Sequence, residues 1–202
     1  MKILHLSDTH GKHSSLRNLP VADIIIHSGD ISFSGEGKEV MDFIEWFGGL
    51  DCKYKIFIAG NHDFCLDGKA PARIQHFLPA NMYYLCESEV EIEGIRFWGI
   101  PYMMSYELQP EKYQRSMATI PANTEILITH RPPLGILDRS ANINFGCPGL
   151  LEAVRRIRPH YHLFGHIHDT YGIQQSEDTI FVNASVLDEK YLLANKPVEI
   201  EI

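Results

Sequence analysis

The chain has 202 residues, 45% of them hydrophobic and 22% charged, with a formal net charge of -8 at pH 7. A chain of this length buries enough surface to fold without disulfides or a structural metal, and we expect a single domain over residues 1–202. The negative charge disfavours attraction to long nucleic acids or to an anionic membrane. No stretch approaches the ~18 consecutive apolar residues of a membrane span, and the N-terminus lacks the apolar core of a signal peptide.

The four cysteines are widely spaced and include no C-x-x-C pair. They lie at Cys52, Cys65, Cys86 and Cys147. This spacing indicates reduced thiols rather than a disulfide framework or a zinc ribbon. We therefore expect a cytoplasmic protein.

Three short apolar runs in the first third of the chain predict buried strands, and each runs into a polar loop. They span 2–6, 23–27 and 54–59 and are followed by SDTHG, SGD and GNHD. Apolar residues at helical spacing from Val40 to Phe47 predict a helix over 39–47 that ends at Gly48 and Gly49. Alternating strands and helices are typical of an α/β sheet, which binds ligands at the carboxyl ends of its strands.

The second half of the chain predicts a mixed sheet. Residues 90–98 alternate around Glu93 and Gly94, which is typical of an antiparallel hairpin. Further strands are predicted at 125–129, 160–164 and 179–182, and a helix at 150–157 that ends before Pro159. These strands run into His130, GHIH and NAS.

Seven side chains suited to divalent metals follow five of these strands. They are Asp8, His10, Asp30, Asn61, His130, His166 and His168. Carboxylate, amide and imidazole ligands together are typical of Mn, Fe, Zn or similar ions, and seven ligands are enough for two ions. On an extended segment, the two side chains of D-x-H or of H-x-H point to the same side.

Glycines adjoin three of these candidate ligands, at Gly29, Gly60 and Gly165. We expect the backbone there to turn sharply and to approach a metal or phosphate closely. Each motif alone, such as SGD, is more typical of an ordinary turn than of a metal site. Five motifs in order favour a metal site.

The motifs SDTH, SGD, GNHD, TH and GHIH resemble, in this order, the five signature blocks of the calcineurin-like metallophosphoesterases. The match runs from Asp8 to His168. Further segments resemble the metallophosphoesterase-domain branch of that superfamily. They are THRPPLGILD at 129–138, Gly146 with Cys147, RRIRPHYHLFGHIH and VNAS at 182–185.

The resemblance implies an α/β fold in which two mixed β-sheets pack as a sandwich flanked by helices, in four layers. It also implies two metal sites that share one carboxylate. Asp8, His10, Asp30 and His168 would hold the first ion, and Asp30, Asn61, His130 and His166 the second. A hydroxide bridging the two ions would attack phosphorus.

The expected activity is hydrolysis of a small phosphodiester, such as a cyclic nucleotide. A phosphomonoesterase and a non-catalytic metal-binding interaction domain are the alternatives. The small phosphoester is the only expected partner, and the sequence does not predict an oligomeric state.

The resemblance places His62 opposite the substrate, where it would contact phosphate and protonate the leaving oxygen, with Asp63 orienting its ring. Structural support of Asn61 is the alternative role for His62. Asn61 and Arg131 would also contact the substrate, although Arg131 could instead face solvent.

Several other residues receive weaker interpretations. Phe33 and Phe145 lie in glycine-containing loops and are candidates for stacking on a base, and Asn183 and Ser185 could shape the pocket. The remaining six histidines are expected to be structural. They are His5, His13, His27, His76, His160 and His162.

Overall fold

Two mixed β-sheets form the frame of the molecule, which is described over residues 1–202 by a computed structural model. The strands are β1 (Lys2–Leu6), β2 (Ile24–His27), β3 (Tyr54–Phe57), β4 (Met82–Tyr84), β5 (Ser88–Ile92), β6 (Ile95–Ile100), β7 (Ile126–Thr129), β8 (Arg139–Ser140), β9 (Ile143–Asn144), β10 (Tyr161–Phe164), β11 (Gly172–Ser176), β12 (Thr179–Asn183) and β13 (Val198–Glu201). The helices are α1 (Gly37–Gly48), α2 (Pro71–Gln75), α3 (Met104–Leu108), α4 (Pro110–Ala118) and α5 (Pro148–Ile157).

The first sheet has the strand order β13-β1-β2-β3-β4, and the second has the order β11-β12-β10-β7-β6-β5. Strands β1 to β4 are parallel, as are the four central strands of the second sheet. The antiparallel strands β13, β5 and β11 lie at sheet edges. Strands β8 and β9 form a separate small hairpin.

The central strands are apolar on both faces because each face is covered. Ile24 and Ile26 of the first sheet share a buried cluster with Ile126 and Ile128 of the second sheet, so the sheets pack face to face. On the outer face of the first sheet, the Phe43 ring of α1 lies 5.8 Å from the Phe57 ring of β3.

The second sheet is covered on its outer face in the same way. Leu127 and Phe164 of this sheet belong to a buried cluster with Leu150 and Val154 of α5. The layers are therefore helix, sheet, sheet and helix, which confirms the predicted fold class.

The predicted hairpin and helices are present, and local chemistry explains where they begin and end. Glu93 and Gly94 both have positive φ, at 52° and 83°, as a tight hairpin turn requires. Helix α1 begins two residues earlier than predicted because Glu36 and Glu39 form a capping box. Helix α5 ends where Arg158 adopts a left-handed conformation.

The sequence analysis missed several short elements, namely α2, α3, α4, β4, the β8–β9 hairpin, β11 and β13. Strand β13 had a signal, because Val198 and Ile200 are buried and alternate with exposed Glu199 and Glu201. The longest helix, α1, has 12 residues, and none of the helices is long and apolar enough to cross a lipid bilayer.

The loops that follow the parallel strands meet at one end of the sandwich. In the first sheet, the backbone N–H of Asp8 donates to Gly29 at 3.0 Å and that of His10 to Asp30 at 3.0 Å. In the second sheet, the Gly165 N–H donates to His130 at 3.1 Å. A parallel bridge between Ser7 and Ser185 joins the two sheets at this end. The polar loops are thereby held side by side.

Candidate metal centre

The structure brings all seven predicted ligands together where these loops meet. They lie on loops after β1, β2, β3, β7 and β10. Asp8, His10 and His168 offer ligand atoms within 4.8 Å of one another, and so do Asp30, His130 and His166. Two groups of three donors therefore lie side by side.

Asp30 belongs to the second group and also approaches the first. One carboxylate oxygen, Oδ2, is 3.5 Å from His10 Nε2 and 3.3 Å from His130 Nε2. The Asn61 side-chain oxygen lies 3.1 Å from the same nitrogen of His130. A carboxylate in this position can contact ions in both groups.

Backbone carbonyls fix the orientation of three of these imidazoles. Nδ1 of His10 lies 3.2 Å from the Ser32 carbonyl, Nδ1 of His130 lies 2.9 Å from the Ser28 carbonyl, and Nδ1 of His168 lies 2.9 Å from the Asp188 carbonyl. Because a carbonyl only accepts hydrogen bonds, Nδ1 is the protonated nitrogen in each ring. In the neutral ring, the lone pair is then on Nε2, which faces the carboxylates.

The loop backbone is strained at four of the seven predicted ligands. Asp8, His10, Asp30 and His166 have φ values of 58°, 42°, 55° and 71°. These left-handed conformations cost of order 1 kcal/mol or more each and are typical of functional sites. The expectation that D-x-H and H-x-H lie on extended segments is therefore wrong. The side chains converge because the backbone turns at individual ligands.

The three glycines make room for ligand side chains of neighbouring loops. A Cβ on Gly60 would lie 2.1 Å from an Asp30 oxygen, and one on Gly165 would lie 2.1 Å from an Asp8 oxygen. A Cβ on Gly29 would lie 2.6 Å from Nδ1 of His130. Gly29 has a positive φ, 105°. Turns also begin at the other two glycines, where the Asp63 N–H donates to the Gly60 carbonyl at 3.2 Å and the Ile167 N–H donates to the Gly165 carbonyl at 2.8 Å. The predicted sharp turns are therefore present at all three glycines.

The carboxylates of the two acidic candidate ligands, Asp8 and Asp30, are buried and ionised. Burial raises the pKa of Asp8, but a hydrogen bond from His168 and the charges of nearby imidazoles outweigh it and hold the pKa well below 3.8. Burial also raises the pKa of Asp30, but the charge of His130 and its hydrogen bond to Asp30 outweigh burial and lower the pKa. Two buried negative charges this close require positive charge beside them.

The imidazoles respond to the same field in opposite ways. Burial lowers the pKa of His130 and His168, but Asp30 and Asp8 respectively outweigh it and raise both values to about 9. Burial lowers the pKa of His166 to about 3 and also lowers that of His10. The Nε2 atom of His10 is buried without a hydrogen-bond partner, which leaves its lone pair directed into the site.

Ser185 and Asn183, which the sequence analysis proposed as residues that shape the pocket, support the ligand loops. The Ser185 hydroxyl lies 2.7 Å from an Asp8 carboxylate oxygen, to which it donates. The Asn183 amide donates to the Ile167 carbonyl at 2.8 Å, between His166 and His168. Its oxygen accepts the Ser185 N–H at 3.1 Å. These two side chains tie Asp8 to the last ligand loop.

His62 lies at the edge of the centre, beside the first group of donors. Its ring centroid is 4.6 Å from that of His10, and its Nδ1 donates to the Phe33 carbonyl at 2.8 Å. His62, His10 and Asp30 also offer ligand atoms within 4.8 Å of one another. The ring is partly exposed, so its Nε2 is the nitrogen available to a bound molecule.

Asp63 does not orient the His62 ring, and that expectation is wrong. Its buried carboxylate accepts the Gly60 and Ser32 N–H groups at 2.8 and 2.9 Å and the Ser32 hydroxyl at 2.6 Å. Burial, with the nearby charge of Asp30, raises the pKa of Asp63 to about 6. Asp63 thus joins the loops after β2 and β3, and the Phe33 carbonyl orients His62.

Arg131 follows His130 but directs its donors into the protein. One terminal nitrogen donates to the Phe145 carbonyl at 2.6 Å, and the guanidinium lies 4.8 Å from the centre of the Tyr102 ring. Arg131 therefore packs on Tyr102, whose ring lies 5.9 Å from that of His166. Arg131 was expected to contact phosphate or to face solvent, whereas these two contacts are made within the protein.

Aromatic side chains surround the mouth of the centre. Phe33 is 55% exposed and Phe145 is 43% exposed. The Tyr191 ring lies 5.0 Å from that of His10 and 5.1 Å from that of His168. The sequence analysis missed Tyr191, which follows β12 in a segment without a recognisable motif.

Comparison with known proteins identifies the family. The family model for the calcineurin-like phosphoesterases matches residues 1–170, and the chain belongs to that family. Members of this family use divalent metal ions, in keeping with the donor groups found here. This confirms the family resemblance seen in the five motifs.

Individual relatives support the same branch. The chain is 36% identical to human metallophosphoesterase domain-containing protein 1, with 98% of the chain and 69% of the relative aligned. A UPF0046 protein of Caenorhabditis elegans is 34% identical over 100% of the chain and 81% of its own length. The crystal structure of TT1561 of Thermus thermophilus shares the fold, with a TM-score of 0.58, 13% identity, and 91% and 88% coverage of the two chains.

Proposed function

We propose that the protein hydrolyses small phosphodiesters with the help of two divalent metal ions. The observation that carries the proposal is the position of Asp30, which belongs to the second group of donors and also lies 3.5 Å from Nε2 of His10 in the first group. In this proposal Asp8, His10 and His168 hold one ion, Asn61, His130 and His166 hold the other, and Asp30 contacts both.

The residues fit such a pair of ions. Nε2 of His10 is buried without a partner, and backbone carbonyls orient three of the four ligand imidazoles. Two dipositive ions against two carboxylates leave a net charge of about +2, which suits a phosphate anion in an otherwise acidic protein. When bound, the ions supply Lewis acidity and make a hydroxide nucleophile accessible at neutral pH.

The chain itself would supply the proton for the leaving group. Because Nδ1 of His62 is held by the Phe33 carbonyl, its Nε2 is the atom that carries and donates this proton. Asp63 acts on this step only indirectly, by fixing the loop on which His62 lies. Asn61 would contribute its oxygen as a ligand and its amide as a donor to a phosphate oxygen.

Two observations favour a diester with an organic substituent. The mouth of the centre is lined with aromatic side chains, including Phe33, Phe145 and Tyr191. A relative from Escherichia coli, 25% identical over 83% of the chain and 70% of its own length, is named 3',5'-cyclic adenosine monophosphate phosphodiesterase. A cyclic nucleotide is therefore the first substrate to test.

An activity panel on one sample tests the proposal. Protein purified without chelator would be analysed for metals and assayed with bis-p-nitrophenyl phosphate, 3',5'-cyclic AMP and p-nitrophenyl phosphate. We expect diester hydrolysis that chelation abolishes and Mn²⁺ restores. Turnover that survives complete removal of metals would contradict the proposal, as would a metal-loaded protein that hydrolyses none of the esters. If p-nitrophenyl phosphate is hydrolysed faster than the two diesters, the protein is a phosphomonoesterase.

Two variants with the same chemical change make the panel specific. Asp30→Asn should lower turnover at least by the ~10²–10³-fold that loss of one transition-state-stabilising group costs. Asp178→Asn, on a carboxylate 73% exposed, should retain parental activity. Equal effects of the two substitutions would contradict a special role for Asp30.

A further inference from the structure

A cavity of about 330 Å³, separate from the metal centre, lies among α3, α4 and the start of α5. We call it the Tyr113 pocket. Its lining includes Tyr102, Tyr106, Tyr113, Gln114, Arg131 and Pro148. No motif of the sequence analysis marked α3 or α4, and the proposed hydrolysis does not by itself use this cavity.

Two buried polar atoms of this lining lack hydrogen-bond partners. They are the hydroxyl of Tyr113, a residue only 3% exposed, and Nε of Arg131. Burial raises the pKa of the Tyr113 hydroxyl, so this group stays protonated and can donate at neutral pH. Each unpaired buried group costs roughly 1–3 kcal/mol, which a ligand with matching acceptors would offset.

The lining favours a flat ring that carries hydrogen-bond acceptors. Three tyrosine rings and a proline provide apolar and aromatic surface, while Tyr113 and Arg131 provide the two free donors. A plain hydrocarbon would leave both donors unpaired. A second phosphate group would meet the apolar rings and the carboxylate of Glu107, which also lines the cavity.

Tyr102 and Arg131 form a wall shared with the metal centre. The Tyr102 ring lies 5.9 Å from that of His166 and 5.1 Å from that of Tyr113. Arg131 directly follows His130 and donates to Phe145, which lines a groove with His166 and His168. The Tyr102 ring therefore lies close both to Tyr113 of the pocket and to His166 of the second group of donors.

We propose that the Tyr113 pocket binds the planar heterocyclic ring of the substrate, such as a nucleobase, while its phosphoester lies at the metal centre. The proposal rests on the proposed function and adds to it the place where the ring of the substrate binds. Tyr113 and Arg131 then act as specificity residues that donate to acceptors on the ring edge.

Binding of nucleosides to the protein purified without chelator tests the pocket without any hydrolysis, because a nucleoside carries no phosphoester. Adenosine, guanosine, cytidine and uridine would be titrated by calorimetry, with ribose as the control without a ring. We expect at least one nucleoside to bind and ribose not to bind. Tyr113→Phe, which removes only the hydroxyl, should weaken that binding about tenfold, as loss of one buried hydrogen bond predicts.

A matched variant and a crystal soak keep the test decisive. Tyr161→Phe removes a tyrosine hydroxyl from the exposed end of β10, where it donates to Glu201 at 3.4 Å, and should bind nucleosides like the parent. In parental crystals soaked with 8-bromoadenosine, anomalous scattering should place bromine in the Tyr113 pocket. Bromine only elsewhere would overturn the proposal, whatever the fate of Tyr113→Phe.

The outcomes separate this proposal from the proposed function. Nucleoside binding that depends on Tyr113, in a protein that hydrolyses no ester, would support the pocket and overturn the proposed function. Hydrolysis of bis-p-nitrophenyl phosphate by a protein that binds none of the four nucleosides would overturn the pocket and support the proposed function.

Discussion

Two sets of histidines in this protein are buried or nearly buried and differ in their hydrogen-bond partners. We define the loop set as His10, His130 and His168, and the strand set as His5, His27 and His162. In the loop set, Nδ1 donates to a backbone carbonyl and Nε2 faces Asp8 or Asp30. In the strand set, Nε2 lies 2.8 to 3.0 Å from the hydroxyl of Ser28, Thr9 or Thr129.

Two of the three loop histidines also differ from the strand set in the direction of their pKa shifts. Burial lowers the pKa of each strand histidine to about 3, so these rings are neutral. In His130 and His168, neighbouring carboxylates outweigh burial and raise the pKa to about 9. Burial therefore does not distinguish a candidate ligand from a structural histidine. A candidate ligand is distinguished by its position in a loop that follows a strand, with a carboxylate facing its Nε2.

The largest effect is expected at His62, which belongs to neither set and whose Nε2 is available to substrate. His62→Ala should lower hydrolysis of a cyclic nucleotide by about 10²–10⁴-fold, the usual contribution of a general acid. Metal content should stay at the parental value. The loss should be smaller for bis-p-nitrophenyl phosphate, because p-nitrophenolate leaves without a proton. Equal losses of metal and of turnover would assign His62 to the support of Asn61.

The close approach of Gly60 to Asp30 provides the second prediction. Gly60→Ala should destabilise the protein by about 1–3 kcal/mol and displace the Asp30 carboxylate, because the new Cβ would overlap with it. Chemical denaturation and metal analysis measure the two effects. Gly37→Ala is the control, since a Cβ there meets nothing within 4 Å. Parental stability and metal content in Gly60→Ala would show that the loops can shift freely.

The third prediction concerns the hydrogen bond from Ser185 to Asp8 and its effect on metal binding. Ser185→Ala removes the hydroxyl that donates to Asp8 and should weaken metal affinity about 10–100-fold, the usual effect of losing a group that orients a ligand. Competition with a fluorescent chelator measures this affinity. The exposed Ser14 supplies the control, Ser14→Ala, which should bind metal like the parent. Unchanged affinity in Ser185→Ala would mean that Asp8 is oriented without it.

The strand set predicts a dependence of stability on pH. Burial lowers the pKa of His162 from 6.5 to about 3, so between these values the unfolded chain binds a proton that the folded chain does not. The free energy of unfolding should therefore fall as the pH falls below about 6.5. At pH 5 the contribution of one such histidine is about 2 kcal/mol.

A comparison of two variants isolates this contribution. Between pH 7.5 and pH 5, His162→Gln should lose about 2 kcal/mol less stability than the parent in urea denaturation. His160→Gln, at an exposed neighbouring position, should follow the parent. If His162→Gln also follows the parent, the strand histidines do not resist protonation, and the contrast between the two sets is weaker than the structure indicates.

The sequence predicted the strand ends well because each is marked by an apolar run followed by a polar motif. Asp8, Asp30 and His130 could be placed at one edge of the sheets on that basis. The path of the backbone could not be predicted in the same way, since the left-handed conformations of Asp8, His10, Asp30 and His166 depend on contacts between loops.

Contacts over long sequence separations explain the remaining errors. Asp63 was assigned to the ring of its neighbour His62, whereas its partners include Ser32, 31 residues away along the chain. The Asp188 carbonyl that orients His168 belongs to the segment of Tyr191, which has no side-chain pattern to reveal it. Carbonyl groups carry no signal in a sequence, so such supports require a structure.

The most direct test of the account is a crystal structure of the protein loaded with Mn²⁺, with the ions located by anomalous scattering. We expect two peaks, one coordinated by Asp8, His10 and His168 and the other by Asn61, His130 and His166, with Asp30 in contact with both. A single peak, or two peaks that do not share Asp30, would contradict the central claim that one carboxylate joins two metal sites.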